Sequence, residues 1–281
     1  MLSVFAVAAI MTVAMQETDT TFAVEANARL DLTVMRGEVV IRTWERNEMR
    51  IIADHARSGR LDVSGTPGSI RVRMRDGSGG MSNVDLELTV PRSTSLQING
   101  TFLESDIRGV EGEVSVQSVQ GDIYLSGGSG RVSLHSVQGD VESHGSSGRI
   151  ELNSSNGDIV IANADGEITA ETLNGEIEMD GIRSSSVDVT TVNGDVDYRG
   201  TIDAAGRYTF NTHNGDITLI IPSDVSATVA VSTFSGEFDT AFPITLTETS
   251  SDGKRLEFTL GGGGARITIS SFGGTIQLER P

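Results

Sequence analysis

The chain has 281 residues, 33 of them glycine, no cysteine, 5% aromatic residues and a formal net charge of −18. The missing cysteine excludes disulfides, thiolate chemistry, Cys-ligated zinc and a lipid anchor on cysteine. The negative charge argues against nucleic acid or an anionic membrane surface as partner, because affinity there comes from clustered Lys and Arg.

Leu2 to Met15 is an uncharged apolar run followed by Gln16-Glu17-Thr18-Asp19. It falls short of the about 20 residues of a typical membrane span and suits the apolar core of a signal peptide. No basic residues precede it, and the Ala-x-Ala cleavage pattern near Ala14 is poor. Residues 1–16 are expected to be a signal peptide, with a buried first strand as the alternative. Export would place the protein in the periplasm, at the cell surface or outside the cell. No later segment is long and apolar enough to cross a membrane, so the mature chain is expected to hold no integral membrane segment.

Residues 17–100 alternate apolar and polar positions at period two, the mark of half-buried strands. Strands are expected at Phe22–Val24, Leu30–Val34, Val39–Thr43, Met49–Ala53, Ile70–Met74, Leu86–Val90 and Leu96–Ile98. Turn signals fall at Arg36-Gly37, at Ser64-Gly65-Thr66-Pro67-Gly68 and at Asp76-Gly77-Ser78-Gly79-Gly80. This stretch reads as irregular β coils opening the domain, with the 76–83 loop its most mobile part.

From 101 to 220 the chain repeats. Gly112, Gly121, Gly130, Gly139, Gly148, Gly157, Gly166 and Gly175 recur every nine residues, and the two alternating halves differ, so the unit is 18 residues. Gly121, Gly139, Gly157, Gly175, Gly194 and Gly215 are expected to form a structural turn. A fixed short period of this kind marks a solenoid. Superposing the units gives one apolar column of Ile107, Ile123, Val141, Ile159, Ile177, Val196 and Ile217. The opposite half gives Val114, Val132, Ile150, Ile168 and Val187. Alternate residues of a strand share a face, so both columns should point into one core. The expected fold is all-β: a parallel β-solenoid (β-helix) with about 18 residues and two strands per rung and irregular end coils.

Residues 221–281 read as C-terminal coils of the same domain. Val90-Pro91 and Ile221-Pro222 echo each other as strand exits, since proline cannot donate to a ladder. Gly261 to Gly264 precede a last strand pair, Arg266–Ser270 and Thr275–Leu278, where Phe272 is expected to help close the core.

Three columns carry polar chemistry. An acidic column, directly after the turn glycine in every unit but the first, holds Asp106, Asp122, Asp140, Asp158, Glu176, Asp195 and Asp216. At a strand spacing of about 4.8 Å, neighbouring full charges repel by roughly 0.9 kcal/mol in bulk water. The column must therefore splay into solvent, be held by turn N–H groups, or bind cations. Turn chemistry is expected; a cation edge on Asp122, Asp140, Asp158, Glu176 and Asp195 is the alternative. The calcium β-roll motif places Asp two residues beyond a glycine, and here Asp directly follows it. A second column holds Gln120, Gln138, Asn156, Asn174, Asn193 and Asn214, and a third Ser118, Ser136, Ser154, Thr172, Thr191 and Thr212. Stacked amides and hydroxyls can bond from rung to rung; a polar stripe meeting sugar hydroxyls is the alternative.

Signals for catalysis are poor. His55, His135, His144 and His213 have no ligand spacing, and no nucleophile elbow, phosphate loop or dinucleotide fingerprint occurs. Asp140, Asp158 and Arg149 imitate a polysaccharide-cleaving cluster, yet they obey the repeat where a site should break it. No catalytic residue, metal or cofactor is expected.

The Gly-Asp-Ile/Val repeats, the Val90-Pro91 exit, Gly206-Arg207-Tyr208 and Thr212-His213-Asn214-Gly215-Asp216-Ile217 together resemble the bacterial putative-adhesin β-strand-repeat family, a domain of unknown function. The resemblance spans roughly residues 20–280. It implies the solenoid fold and a place in the bacterial envelope, and it supplies no catalytic residues. The expected function is a non-catalytic, adhesin-like exported protein that binds an envelope protein or glycan. The alternatives are a polysaccharide lyase or hydrolase, or a scaffold or sensor in an envelope stress system.

Overall fold

The computed structural model describes residues 17–55, 60–75, 83–244, 246–249 and 255–281. The expected signal peptide at 1–16 and residues 76–82 of the expected mobile loop lie outside them. Among the described residues there is no helix, and the strands join one hydrogen-bonded network.

The middle of the chain builds two facing stacks of parallel strands. On one face, Arg131–Gln138 lies between Val114–Gln120 and Ser147–Asn156, with Val132 opposite Val114 on one side and Ile150 on the other. On the second, Val141–His144 lies between Ile123–Gly127 and Ile159–Ala162, with Val141 opposite Ile123 and Ile159. The second column continues through Ile177, Val196 and Ile217 to Ile276. Every member from Ile123 to Ile276 is buried. Two residues on, Leu125, Ser143, Ile161, Met179, Tyr198, Leu219 and Leu278 are buried as well. The inward residues of both faces thus fill one core, as the period-two alternation requires.

One member of that column is misplaced by the sequence reading. Ser105, not Ile107, lies opposite Ile123, and Ile107 pairs with Leu125. Only 16 residues separate Ile107 from Ile123, and the ladder is irregular between Arg108 and Val110, where the register shifts. Ile107 stays in the core but one inward position further along.

Larger corrections fall at the ends. Arg36-Gly37 is not a turn between strands, because Arg29–Trp44 runs unbroken and pairs with Ser95–Val110 from Arg29↔Ser95 to Ile41↔Ile107. Gly37 has φ +139° there, and a Cβ on it would lie 1.7 Å from the Val84 carbonyl oxygen. The glycine marks a close approach of two strands, not a reversal. Ser64-Gly65-Thr66 belongs to a strand that the turn signal concealed, Arg60–Thr66. It folds back on Ser69–Arg75, so that only Pro67-Gly68 form the turn.

Antiparallel strands flank the parallel stack at both ends. Glu48–His55 runs antiparallel to Val84–Pro91 and to Glu17–Ala23. At the other end, Arg255–Leu260 runs antiparallel to Ala227–Thr233 and Leu246–Thr249. The network is therefore mixed, and parallel only between these flanks. The two prolines do occupy equivalent turns: Thr94 N–H donates to the Pro91 carbonyl at 3.1 Å and Val225 N–H to that of Pro222 at 3.2 Å.

Tyr198 and Tyr208 are the bulkiest fully buried side chains, with Tyr198 edge-on to Phe210 at 5.2 Å. Their hydroxyls are not stranded: Tyr198 donates to the Thr201 carbonyl at 3.0 Å, and Tyr208 accepts from Asp203 N–H at 2.7 Å. Burial raises both phenol pKa values, so neither tyrosine ionises in the physiological range.

Candidate functional site

One edge, where the chain turns from the first face to the second, gathers the singled-out columns. In each unit it runs inward hydroxyl, outward residue, amide, glycine and carboxylate, as in Thr172-Leu173-Asn174-Gly175-Glu176.

The hydroxyls do not bond to one another, as the sequence reading allowed. Each donates to a backbone carbonyl one unit back: Ser136 to Gly121 at 3.1 Å, Ser154 to Gly139 at 3.0 Å, Thr172 to Gly157 at 3.1 Å and Thr212 to Gly194 at 3.0 Å. Ser118 and Thr191 make the same bond to Leu103 and Gly175, both at 3.2 Å. Buried polar groups need such partners. These bonds tie the turn of one unit to the strand of the next.

The glycines permit that contact. A Cβ on Gly139 would lie 2.3 Å from the Gly121 carbonyl oxygen, and one on Gly157 2.2 Å from that of Gly139. Gly121, Gly175, Gly194 and Gly215 meet the preceding unit in the same way.

The amides stack into a ladder. Asn174 donates to the Asn156 Oδ1 at 2.9 Å, Asn193 to Asn174 at 2.8 Å and Asn214 to Asn193 at 2.9 Å. Gln120 and Gln138 pair in register below Asn156.

The carboxylates accept from the backbone of the unit that follows. Asp140 N–H donates to Asp122 Oδ1 at 2.9 Å, Asp158 N–H to Asp140 at 2.8 Å and Glu176 N–H to Asp158 at 2.8 Å. Asp216 N–H reaches Asp195, and Thr275 N–H reaches Asp216. Glu176 departs from this pattern. Its carboxyl pKa is raised, first by burial and then by the neighbouring charges of Asp197, Asp195 and Asp158.

Asp106 is not part of the column. It pairs in register with Tyr124 on the second face, and Glu104, which precedes Ser105, takes the column position. Glu38 lies opposite Glu104. At the other end Thr275 takes the column position after Asp216, and Glu237, which precedes Phe238, the partner of Ile276, puts a carboxylate beyond it. Glu104 stands 18 residues before Asp122, in period, but follows Leu103 instead of a glycine, and the absence of a repeat hid Glu38 and Glu237.

Asp106 instead anchors a cluster that breaks the repeat. Arg42 and Arg108 contact its carboxylate at 2.7 Å and 2.8 Å. Burial would raise its pKa, but these two hydrogen bonds outweigh that and hold it below the usual carboxylate range. Arg108 also lies 4.8 Å from the Tyr124 ring centre, and Tyr124 packs on His144 at 5.3 Å. Arg149, read as a possible companion of Asp140 and Asp158, is ion-paired with Glu167 at 2.9 Å. Among the described residues, no group of three or more His, Asp or Glu is arranged to hold a metal ion.

Phe272 does not close the core, because Ser271 takes the inward position beside it. It is 46% exposed and stacks between His213 and Phe234, with both ring centres 4.7 Å away.

Two facing parallel stacks tied by turn ladders define a solenoid-like β-repeat protein. The chain belongs to the Toastrack DUF4097 family, whose profile matches residues 19–279. No curated protein matches it. Solved structures with similarity include a "putative adhesin" from Parabacteroides distasonis, 9% identical, covering 93% of this chain and 96% of that one at a TM-score of 0.42. A "putative adhesin" from Bacteroides fragilis is 12% identical, with the same coverages and a TM-score of 0.35. A "putative lipid binding protein" from Parabacteroides distasonis is 13% identical, covering 94% and 96% at a TM-score of 0.33. Among the described residues, no helix is long and apolar enough to cross a membrane.

Proposed function

We propose that this is a non-catalytic, exported, adhesin-like protein that presents the long side of an 18-residue, two-strand rung array to an envelope protein or glycan. The supporting registers are those that set Val132 opposite Ile150 and Val141 opposite Ile159. We read 101–220 as the regular array and 17–100 and 221–281 as its end coils. The first boundary falls inside the strand Ser95–Val110, so no break in the backbone marks it.

The observation that carries this reading is the repetition of the turn edge, from which Glu176 departs within the acidic column. An active site needs neighbouring groups in unlike environments, one to act as acid and another as base. Here Asp122, Asp140 and Asp158 occupy equivalent positions, each accepting from the next backbone N–H. The hydroxyls are held by turn carbonyls and the asparagines by one another. Such an edge repeats a surface, which suits recognition over a length.

The test is a binding screen of the purified chain against glycans and envelope proteins, run with an assay for new reducing ends. Retention of a partner without turnover is the expected result. Turnover abolished by a single Asp→Asn substitution would replace this reading with a polysaccharide-cleaving enzyme.

A further inference from the structure

The exposed large apolar side chains among the described residues are Met35, Val119, Leu173, Phe234 and Phe272. All five fall in one column. Each precedes a position in the single register that joins Arg36, Phe102, Gln120, Gln138, the asparagine ladder and Gly273. Phe234 follows Thr233, which pairs with Ser271 just before Phe272. The column holds ten positions and, at about 4.8 Å per strand, spans roughly 43 Å. Aligned apolar exposure of this kind marks an interaction surface, whereas scattered exposed apolar residues need no explanation.

The chemistry beside the stripe selects the partner. The adjacent asparagines are bonded to each other, which leaves little directional hydrogen bonding for sugar hydroxyls. The faces of the Phe272 ring are covered by His213 and Phe234, so its edge, not a stacking platform, meets solvent. The acidic column runs parallel to the stripe, three residues on, within about 11 Å along the chain. A second copy carries the same net charge of −18, so like charge opposes its approach. A partner with positive charge beside apolar groups gains from both columns.

We infer that this turn edge docks a polypeptide segment that carries a row of apolar side chains flanked by Lys and Arg. The inference rests on the binding reading above and names its partner class.

The probe is a fluorescein-labelled amphipathic Leu/Lys peptide, titrated by anisotropy against the full chain. Oligolysine of equal charge and a neutral cello-oligosaccharide serve as comparisons. The variant Val119→Ser/Leu173→Ser/Phe272→Ser should weaken the peptide at least tenfold while leaving the circular dichroism spectrum unchanged. The variant Asp122→Asn/Asp140→Asn/Asp158→Asn keeps the turn acceptors, and should weaken binding and flatten its salt dependence. Four results would overturn the inference: no binding of the Leu/Lys peptide, equal affinity for oligolysine, an apolar triple variant that binds normally, or oligosaccharide binding that this variant abolishes. A wild-type dimer in sedimentation that becomes monomeric in the variant would assign the stripe to self-association instead. Failure of the general binding reading would show differently, as glycan turnover.

Discussion

A carboxylate after each turn glycine shows how one side chain serves a repeat. Asp140 accepts from Asp158 N–H, so its oxygen completes the backbone bonding of the following turn. Asp140→Ala should cost about 0.5–1.5 kcal/mol in urea unfolding, the net worth of one hydrogen bond. Asp140→Asn keeps an acceptor and should cost less. Glu176 reverses the sign. Its pKa is raised in the folded protein by burial and by Asp197, Asp195 and Asp158, so the folded state holds the proton more tightly than the unfolded chain. The stability it confers is fully present below the ordinary glutamate range and is lost as pH rises through the raised value. Glu176→Gln should therefore raise Tm at neutral pH, with the difference shrinking in acid; a Tm gain that is the same at both pH values would contradict this. The column itself was legible from the glycine spacing. The backbone bonds that hold it were not, because the sequence allowed splaying, turn bonding and cations alike.

At the scale of strands and turns, the period decided what could be read. Where 18 residues recur, the inward columns follow directly, and Ile159→Asp should unfold the chain at ordinary temperatures by placing an unpaired charge among Val141, Ile177 and Ile161. Circular dichroism checks this. Glycines separate into two kinds. Gly145 has φ +69° with open space beside it, so Gly145→Ala should cost about 1–2 kcal/mol, the ordinary left-handed penalty. Gly139→Ala adds a clash with the Gly121 carbonyl oxygen and should cost more than that in the same unfolding assay. Outside the period, alternation located strands but not their partners. Antiparallel flanks and the strand Arg60–Thr66 depend on contacts between distant segments, and Ser64-Gly65 reads locally as a turn. The exposed stripe has a signal in the sequence: Val119 and Leu173 stand at the outward parity next to inward Ser118 and Thr172. The same parity puts Phe272 on the surface.

For the whole molecule, uniformity along the axis is the functional statement. If the acidic column serves only the turns, millimolar calcium should leave Tm unchanged beyond the effect of ionic strength. A saturable cation site would instead add about 2.7 kcal/mol at a hundredfold excess over its Kd, and Asp140→Asn with Asp158→Asn would remove it. The central claim is that the protein binds along its length and catalyses nothing there. The most direct measurement incubates the purified chain with a panel of polysaccharides, and follows retention and new reducing or unsaturated ends in the same samples. The account predicts no turnover of any glycan. Reproducible turnover that one Asp→Asn substitution abolishes would contradict it.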